Sequence, residues 1–387
     1  MSRYPFPIPF GWFAVGYPDD FVAAADAKAL YYFGRHLVGW RDVEGAMHVM
    51  DAFCPHLGAH LGHGGHVEGC QIVCPFHGWH FDVDGHNAVI PYSERLNRKA
   101  TVRVYPVVER NDAVMVWYHP DDAAPMWEVP TIPQFDGDPD FSTVIRTWYE
   151  IDAAWQEMAE NAVDSAHFRF VHNTATVPTI EEYETGFPEA VTRSSQKFPT
   201  PRGVMEGRID THGWGPGLSV VWFTGIVDTV NLACTTPIEA DRCIVRFNFR
   251  FRTMGDEATT SSVGKAFVAE VDKQMKEDRP IWEHKAHLVR PALADNDGPF
   301  MKFRRWAAQF YAEPVGDERV AYPRRSGPTV STTRRPRQRR RRGCATPEPS
   351  AGGSHGKVLI AVEHAAVQLA DDLLLGLPLG EVVVEPG

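Results

Sequence analysis

The chain has 387 residues, of which 43% are hydrophobic and 23% charged, with a formal net charge of −11. This length predicts two or three domains at roughly 150 residues each, and the composition excludes a fibrous or wholly disordered chain. The acidic balance argues against a nucleic-acid partner, and no apolar run is long enough to span a membrane. The six cysteines are too few for a disulfide scaffold. Prolines interrupt the N-terminal segment where a secretory signal needs an apolar stretch, so we expect a cytoplasmic protein.

The first region, residues 4–118, has the pattern of a small all-β module. Short β-rich runs alternate with turn-forming clusters of Gly, Pro, Asp and His. The runs that show this best are Leu30–Phe33, Met47–Met50, Gln71–Val73 and Ala113–Tyr118. Residues 119–133 are rich in Asp and Pro and are predicted to form a linker.

Two mixed motifs of cysteine and histidine lie inside this module. They are Cys54-Pro55-His56 and Cys74-Pro75-Phe76-His77. One thiolate and one imidazole in each half favour a [2Fe–2S] cluster in which two cysteines hold one iron and two histidines the other. The alternative is a structural Cys₂His₂ zinc site, although zinc sites more often pair Cys with Cys and His with His. Four residues nearby are interpreted as loop residues: His60, His63, His66 and Cys70.

The second region, residues 134–313, mixes helical and extended patterns, which predicts an α+β domain with an antiparallel sheet packed against helices. Predicted strands are Thr143–Ile151, Leu218–Leu232 and Cys243–Thr253, and predicted helices are Ala153–Val171 and Ala266–Leu288. Pro280 is expected to kink or break the second helix. Cys234 and Cys243 fall in predicted strands and are expected to be core thiols.

A second candidate metal site begins with His167 and His172. Two imidazoles plus a carboxylate form the facial triad of non-haem Fe(II) oxygenases, and the absence of HExxH argues against a zinc protease. On a regular helix the two histidines would point about 140° apart, so the helix must end or bulge between them. Asp164 lies one turn before His167 and is expected to hold its free N–H.

The third ligand must come from elsewhere in the chain. We predict Asp297, in the sequence Asp297-Gly298-Pro299, which follows the second predicted helix and precedes an aromatic and basic run. Asp295 is the alternative.

The two constellations, in this order, resemble the oxygenase component of Rieske non-haem iron oxygenases over residues 4–313. The chain is most similar to the 3-ketosteroid 9α-hydroxylase and cholesterol 7-desaturase branch. The segments that carry this resemblance are Asp51–Gly58, Ile90–Tyr92, Val163–His172, Asp297–Pro299 and Arg304–Tyr311.

The resemblance implies an all-β Rieske [2Fe–2S] domain followed by a helix-grip-like catalytic domain. It implies one cluster per subunit held by Cys54, His56, Cys74 and His77, and one Fe(II) held by His167, His172 and Asp297. It further implies a monooxygenase that hydroxylates a steroid or sterol with O₂ and electrons passed from NADH by a separate reductase.

Family members form head-to-tail homotrimers, in which His77 of one chain would meet Asp164 of the next and Asp164 would bridge electron transfer between the two sites. Four large apolar residues are expected to line a steroid-sized pocket: Trp214, Trp222, Phe223 and Trp282. The motifs leave open a sterol desaturase, a hydroxylase of another hydrophobic ring compound, and an electron carrier with an inert second domain.

The resemblance fades after Tyr311. Residues 314–387 contain an Arg- and Pro-rich stretch that cannot bury enough apolar surface to order itself. We interpret this tail as disordered or as the product of a frameshift near residues 313–330, and an unassembled gene product is the corresponding alternative.

Overall fold

The computed structural model describes residues 3–174, 176–200, 203–225 and 227–313. The atypical tail lies outside these residues. Within the described part of the chain, no helix combines the length and apolar character needed to cross a membrane.

The first part of the chain folds into three small antiparallel sheets. Their strands are β1 (Gly11–Gly16), β2 (Lys28–Tyr32), β3 (Arg35–Arg41), β4 (Met47–Asp51), β5 (His66–Glu68), β6 (Gln71–Val73), β7 (His80–Asp82), β8 (Asn87–Val89), β9 (Val104–Tyr105), β10 (Val107–Arg110) and β11 (Ala113–Tyr118). The sheet orders are β1-β11-β10, β2-β3-β4-β9 and β5-β6-β7-β8. The four runs predicted from sequence fall on β2, β4, β6 and β11. One Cys/His motif follows β4, and the other connects β6 to β7.

The second part is built on a seven-stranded antiparallel sheet of order β12-β18-β17-β16-β15-β14-β13. Its strands are β12 (Ile145–Ile151), β13 (Thr179–Thr185), β14 (Glu189–Thr200), β15 (Gly203–Trp214), β16 (Leu218–Thr224), β17 (Thr229–Glu239) and β18 (Arg242–Phe251). The helices are α1 (Trp155–Ala159), α2 (Ala166–Phe170), α3 (Glu257–His284) and α4 (Phe300–Ala307). The predicted α+β class is confirmed for this domain, and the module that precedes it is all-β, as predicted.

Several predicted elements differ from those observed. The predicted strand Leu218–Leu232 is two strands, β16 and β17, and the predicted helix Ala153–Val171 is broken into α1, a 3₁₀ turn at Glu160–Val163 and α2. Helix α3 begins nine residues before the predicted start, because the Asp256 carboxylate caps it by accepting the N–H of Thr259 at 2.7 Å. No element was predicted where β13, β14 and β15 lie.

Helix α3 packs a continuous stripe against the rest of the domain. Its buried positions recur every three, four or seven residues, as expected for one face of a helix; they are Thr260, Gly264, Val268, Met275, Asp278 and Trp282. Gly264 allows α3 to lie close to β18, since a Cβ at this position would lie 2.8 Å from the ring of Phe251. Asp278 is the ionisable member of this stripe.

A buried charge cluster connects α1 to α4. The carboxylates of Glu157 and Glu160 belong to the segment that leads into α2, and neither is more than 4% exposed. Arg304 of α4 donates to Glu160 at 2.6 Å, and Lys285 lies 2.8 Å from Glu157. His287 also contacts Glu157, at 2.6 Å. Burial would raise the pKa of Glu157, but His287 and Lys285 outweigh burial and lower it.

We predict that Arg304→Met lowers the free energy of unfolding by about 3–5 kcal/mol, because it leaves Glu160 buried with an incomplete set of partners. Urea denaturation of the purified protein measures this. Arg305→Met is the matched control, since Arg305 is the exposed neighbour on the same helix. Equal effects of the two substitutions would contradict the role given to the buried pair.

Candidate metal centres and cavity

The two Cys/His loops share one backbone geometry. In the first, the N–H of Gly58 donates to the Cys54 carbonyl at 2.9 Å, and the N–H of Cys54 donates to Ala59 at 2.9 Å. In the second, Gly78 donates to Cys74 at 3.0 Å, and Cys74 donates to Trp79 at 2.8 Å. Gly58 and Gly78 both have a positive φ, which favours glycine at the closing position of each turn. The two loops therefore present their ligands as a matched pair, although the histidine is shifted by one residue.

The four predicted ligands of the cluster lie together between these loops. The rings of His56 and His77 are 4.7 Å apart between centroids, and the ring of His56 stacks on Trp79 at 4.4 Å. Cys54 and Cys74 are buried free thiols. Burial raises the pKa of Cys54 to about 11, and the neighbouring thiol of Cys74 adds to the shift.

One atom in this group indicates a missing metal partner. The Nδ1 of His77 is buried and has no hydrogen-bond partner. A buried ring nitrogen of this kind normally has a partner, and its ring lies beside the second imidazole of the two motifs, as expected of an iron ligand. The residues therefore fit a mixed Cys/His [2Fe–2S] cluster.

The nearby residues interpreted as loop residues make other contacts. His60 Nδ1 accepts the N–H of Gly62 at 3.1 Å. The loop interpretation is wrong for His66, which is the first residue of β5 and lies 3.0 Å from Glu68. Farther along the chain, Cys234 and Cys243 are buried, as predicted for core thiols.

A second cluster of ligand atoms joins His167, His172 and Asp278, whose metal-ligating atoms all lie within 4.8 Å of one another. The two rings are 5.2 Å apart and nearly perpendicular. Helix α2 ends at Phe170, between the two histidines, as their convergence requires. Two imidazoles and one carboxylate in this arrangement can hold a non-haem iron.

Asp297, the predicted third ligand, is not brought to this cluster. Its carboxylate is exposed and accepts the N–H of Ala294 at 2.7 Å, closing a local turn. Asp295, the alternative, is exposed as well. Asp278 lies where Asp297 was predicted, because α3 carries it on its buried face, where its carboxylate is 3.4 Å from His172 Nε2.

The motif that suggested Asp297 has a different role in the fold. A Cβ at Gly298 would lie 1.6 Å from the carbonyl oxygen of Val163, so this position packs directly on the backbone that precedes Asp164. The absence of a side chain is therefore required for packing. Gly298 thus packs on the segment that leads to His167.

Asp164 holds His167 chiefly through its main chain. His167 Nδ1 lies 2.5 Å from the Asp164 carbonyl oxygen, whereas the carboxylate is 3.9 Å from that nitrogen, too far for a hydrogen bond. The carboxylate accepts the backbone N–H of His167 at 3.3 Å. Burial would lower the pKa of His167, but Asp164 and Asp278 together raise it.

Asp278 is held in place by a neutral partner. One of its oxygens accepts from the side chain of Asn161 at 3.2 Å, and Asn161 accepts from the indole of Trp282 at 3.3 Å. Its other oxygen lies 3.4 Å from His172 Nε2. Burial raises the pKa of Asp278, with Glu277 contributing in the same direction and both histidines opposing the shift.

The triad opens on a cavity of about 340 Å³ whose floor is the seven-stranded sheet. Residues directly opposite each other on neighbouring strands share one face of a sheet. Two such rows line the cavity: Tyr183-Thr192-Thr211-Val221-Asn231 and Ala190-Gly213-Ser219-Ala233-Phe247. Four of the five residues in the second row have small side chains, and this leaves the space of the cavity.

The roof of the cavity comes from the helices. Met275 and Trp282 of α3 line it together with Trp306 of α4. Of the four apolar residues predicted for the pocket, Phe223 and Trp282 line it, whereas Trp214 stacks on His212 at 3.8 Å. Trp222 packs against the main core, because neighbouring strand residues alternate in direction.

Comparison with protein families gives two matches. A profile described as the Rieske [2Fe-2S] domain matches residues 11–106. A profile described as the 3-Ketosteroid 9alpha-hydroxylase C-terminal domain matches residues 116–311, about half of the chain. The chain therefore belongs to the 3-ketosteroid 9α-hydroxylase family of Rieske non-haem iron oxygenases, and its cofactors are a [2Fe–2S] cluster and Fe(II).

Individual relatives agree with this assignment. The chain is 28% identical to a 3-ketosteroid-9-alpha-monooxygenase oxygenase component of Rhodococcus rhodochrous, over 78% of this chain and 84% of the relative. It is 30% identical to cholesterol 7-desaturase of Caenorhabditis elegans, over 81% and 79% respectively. The solved structure of dicamba monooxygenase bound to dicamba has the same fold, with a TM-score of 0.63, 18% identity and coverage of 77% of this chain and 95% of that one.

We predict that Asp278→Ala abolishes iron binding at the mononuclear site and leaves the [2Fe–2S] cluster intact, because it removes the one carboxylate of the triad. Asp297→Ala is the matched control and is expected to retain both metals. Iron and sulfide analysis with the visible spectrum of the cluster measures this. Loss of mononuclear iron in Asp297→Ala, with retention in Asp278→Ala, would show that Asp297 is the third ligand, as the sequence predicted.

Proposed function

We propose that the chain is the terminal oxygenase that hydroxylates a steroid or sterol, using O₂ and electrons that a separate reductase takes from NADH. In this proposal Cys54, His56, Cys74 and His77 hold the cluster, and the iron ligands are His167, His172 and Asp278. The observation that carries the proposal is the direct opening of the His/His/Asp triad into a mainly apolar cavity. A volume of about 340 Å³ falls in the range of small-molecule sites.

His167, His172 and Asp278 would hold an iron ion, which would supply O₂ activation. The contribution of the chain is positioning and exclusion of water. Phe223, Phe247 and Trp282 provide apolar walls that bury a hydrophobic substrate beside the triad. The small row through Gly213 and Ser219 leaves room for a flat, rigid ring system across the strands.

We further propose that the active form is a head-to-tail homotrimer, with Asp164 as the bridge between the cluster of one chain and the iron of the next. Leu57, Phe76 and Tyr92 are at least 60% exposed beside the two cluster histidines. Phe170 is 81% exposed at the end of α2, between the two histidines of the triad. Exposed apolar side chains at both metal sites suit a contact that joins one site to the other.

The trimer is tested by light scattering coupled to size-exclusion chromatography. We expect a mass of about three chains of 43.3 kDa for the wild type. Phe170→Asp is expected to shift the protein toward monomer, because it places a charge in the apolar contact. A monomeric wild type that still turns over with its reductase would contradict this arrangement.

A sterol desaturase is the second candidate, because a relative at 30% identity is named cholesterol 7-desaturase. Hydroxylation and desaturation use the same kind of iron site, and the products distinguish them. A pure electron carrier is disfavoured, since a carrier needs neither the triad nor the cavity.

We assign the protein to the cytoplasm. Cys234 and Cys243 are buried core thiols, which suits a reducing compartment. Recovery of the protein in the membrane or secreted fraction of cells that express it would contradict this assignment.

The proposed activity is tested by a single turnover of the anaerobically reduced protein with a 3-ketosteroid and O₂, followed by mass analysis of the product. We expect a product heavier by one oxygen; loss of two hydrogens would establish the desaturase instead. Full metal content with neither product would overturn the substrate class.

Ser219→Phe is expected to lower product yield at least about tenfold, equivalent to ~1.4 kcal/mol, by filling the floor of the cavity without touching a ligand. Thr224→Phe, at the exposed end of the same strand, is the matched control. Both variants should keep the iron and sulfide content of the wild type. A fully active Ser219→Phe variant would show that the substrate binds elsewhere.

A further inference from the structure

Helix α3 contacts the ring of His172 from both sides. The Oε2 of Glu277 lies 2.8 Å from His172 Nδ1, and the Oδ1 of Asp278 lies 3.4 Å from His172 Nε2. The side chain of His172 is only 2% exposed. Two consecutive residues of one helix thus grip a single imidazole, one at each nitrogen.

The chemistry of these contacts determines which nitrogen carries the proton. An ionised carboxylate only accepts hydrogen bonds, so Glu277 requires an N–H at Nδ1 of His172. In the neutral imidazole, Nε2 then carries the lone pair. This lone pair faces Asp278 and His167, which is where the iron ligands converge.

The two histidines of the triad differ in this respect. His167 is held at Nδ1 by the uncharged carbonyl of Asp164, at 2.5 Å. His172 is held by a full negative charge. A carboxylate partner fixes the orientation of an imidazole and raises its basicity as a metal ligand more than a neutral partner does.

We propose that Glu277 is a positioning residue of the iron site: it fixes the tautomer and orientation of His172 and thereby sets the affinity of the site for Fe(II). The inference rests on the proposed iron ligands and adds a residue to them. The carboxylate of Asp164 serves the other histidine, since it accepts the backbone N–H of His167 at 3.3 Å.

The position of Glu277 on α3 supports this role. Asp278 belongs to the buried stripe of the helix, and Glu277 lies at its border with a side chain that is 28% exposed. A glutamate that served only solubility would turn toward water, as Glu270 does when it pairs with Lys273 on the same helix. Glu277 instead reaches inward to a histidine 105 residues away in sequence.

The test measures metal affinity directly. The mononuclear site is depleted of iron while the cluster is retained, and Fe(II) is returned by anaerobic equilibrium dialysis. We expect Glu277→Ala to weaken Fe(II) binding by about 10- to 100-fold. Glu277→Gln keeps an acceptor for the Nδ1–H and loses the charge, so its affinity should fall between those of the wild type and Glu277→Ala. Glu270→Ala is the matched control and should bind Fe(II) as the wild type does.

A second readout separates positioning from folding. The EPR spectrum of Co(II) bound at the site reports the geometry of its ligands, and it should change in Glu277→Ala and recover toward that of the wild type in Glu277→Gln. Alanine favours a helix, so the thermal unfolding of the iron-depleted variant should match that of the wild type.

Asp278→Ala in the same dialysis distinguishes an error in the role of Glu277 from an error in the proposed iron site. If Asp278→Ala loses Fe(II) while both Glu277 variants bind it like the wild type, the role of Glu277 is overturned and the iron site stands. If Asp278→Ala binds Fe(II) normally, the proposed site itself is wrong.

Discussion

The arrangement of the catalytic domain depends on the partners that Lys, His and Arg side chains provide for two buried carboxylates. Glu157 and Glu160 lie in a segment that is too short and too broken to hold its own position, and burying their charges without partners would cost several kcal/mol each. Lys285 and His287, just after α3, and Arg304 of α4 supply the partners. The same contacts fix the backbone that enters Asp164 and α2, so the first ligand of the triad is placed by a charge cluster that takes no part in the chemistry.

Short-range patterns in the sequence carry most of the proposed metal chemistry. The Cys54/His56 and Cys74/His77 motifs and the His167/His172 pair each lie within a few residues, where spacing constrains geometry. The proposed third iron ligand, Asp278, is separated from them by more than a hundred residues. It stands among Lys276, Glu277 and Arg279, which together look like a solvated helix face. A usable signal was present nonetheless: Asp278 falls on the apolar stripe of Met275 and Trp282, where a charged residue is unexpected.

The same reasoning explains the other differences between expectation and structure. The Asp297-Gly298-Pro299 motif suggested a metal ligand, but the structure gives Gly298 a packing role against the backbone of Val163. Strands β14 and β15 were missed because their inward positions carry Thr192, Ser194, Thr211 and Gly213 instead of large apolar residues, so the alternation that marks a half-buried strand is absent. These residues are small and polar because they face a cavity. The strands that the sequence pattern did not indicate therefore line the cavity proposed to bind substrate.

The cross-strand rows on the cavity floor affect how the cavity can change in evolution. Neighbouring strands are about 4.8 Å apart, so successive members of a row stand at regular steps across the floor. Thr192, Thr211 and Val221 occupy three adjacent steps of one row, and Gly213, Ser219 and Ala233 three of the other. Exchanging one side chain for a larger one moves the wall at a single step and leaves the backbone pairing and the metal ligands unchanged. Single substitutions on the cavity floor can therefore change the size and shape of the molecule that fits the cavity. The residues of the two metal sites stay the same while this happens.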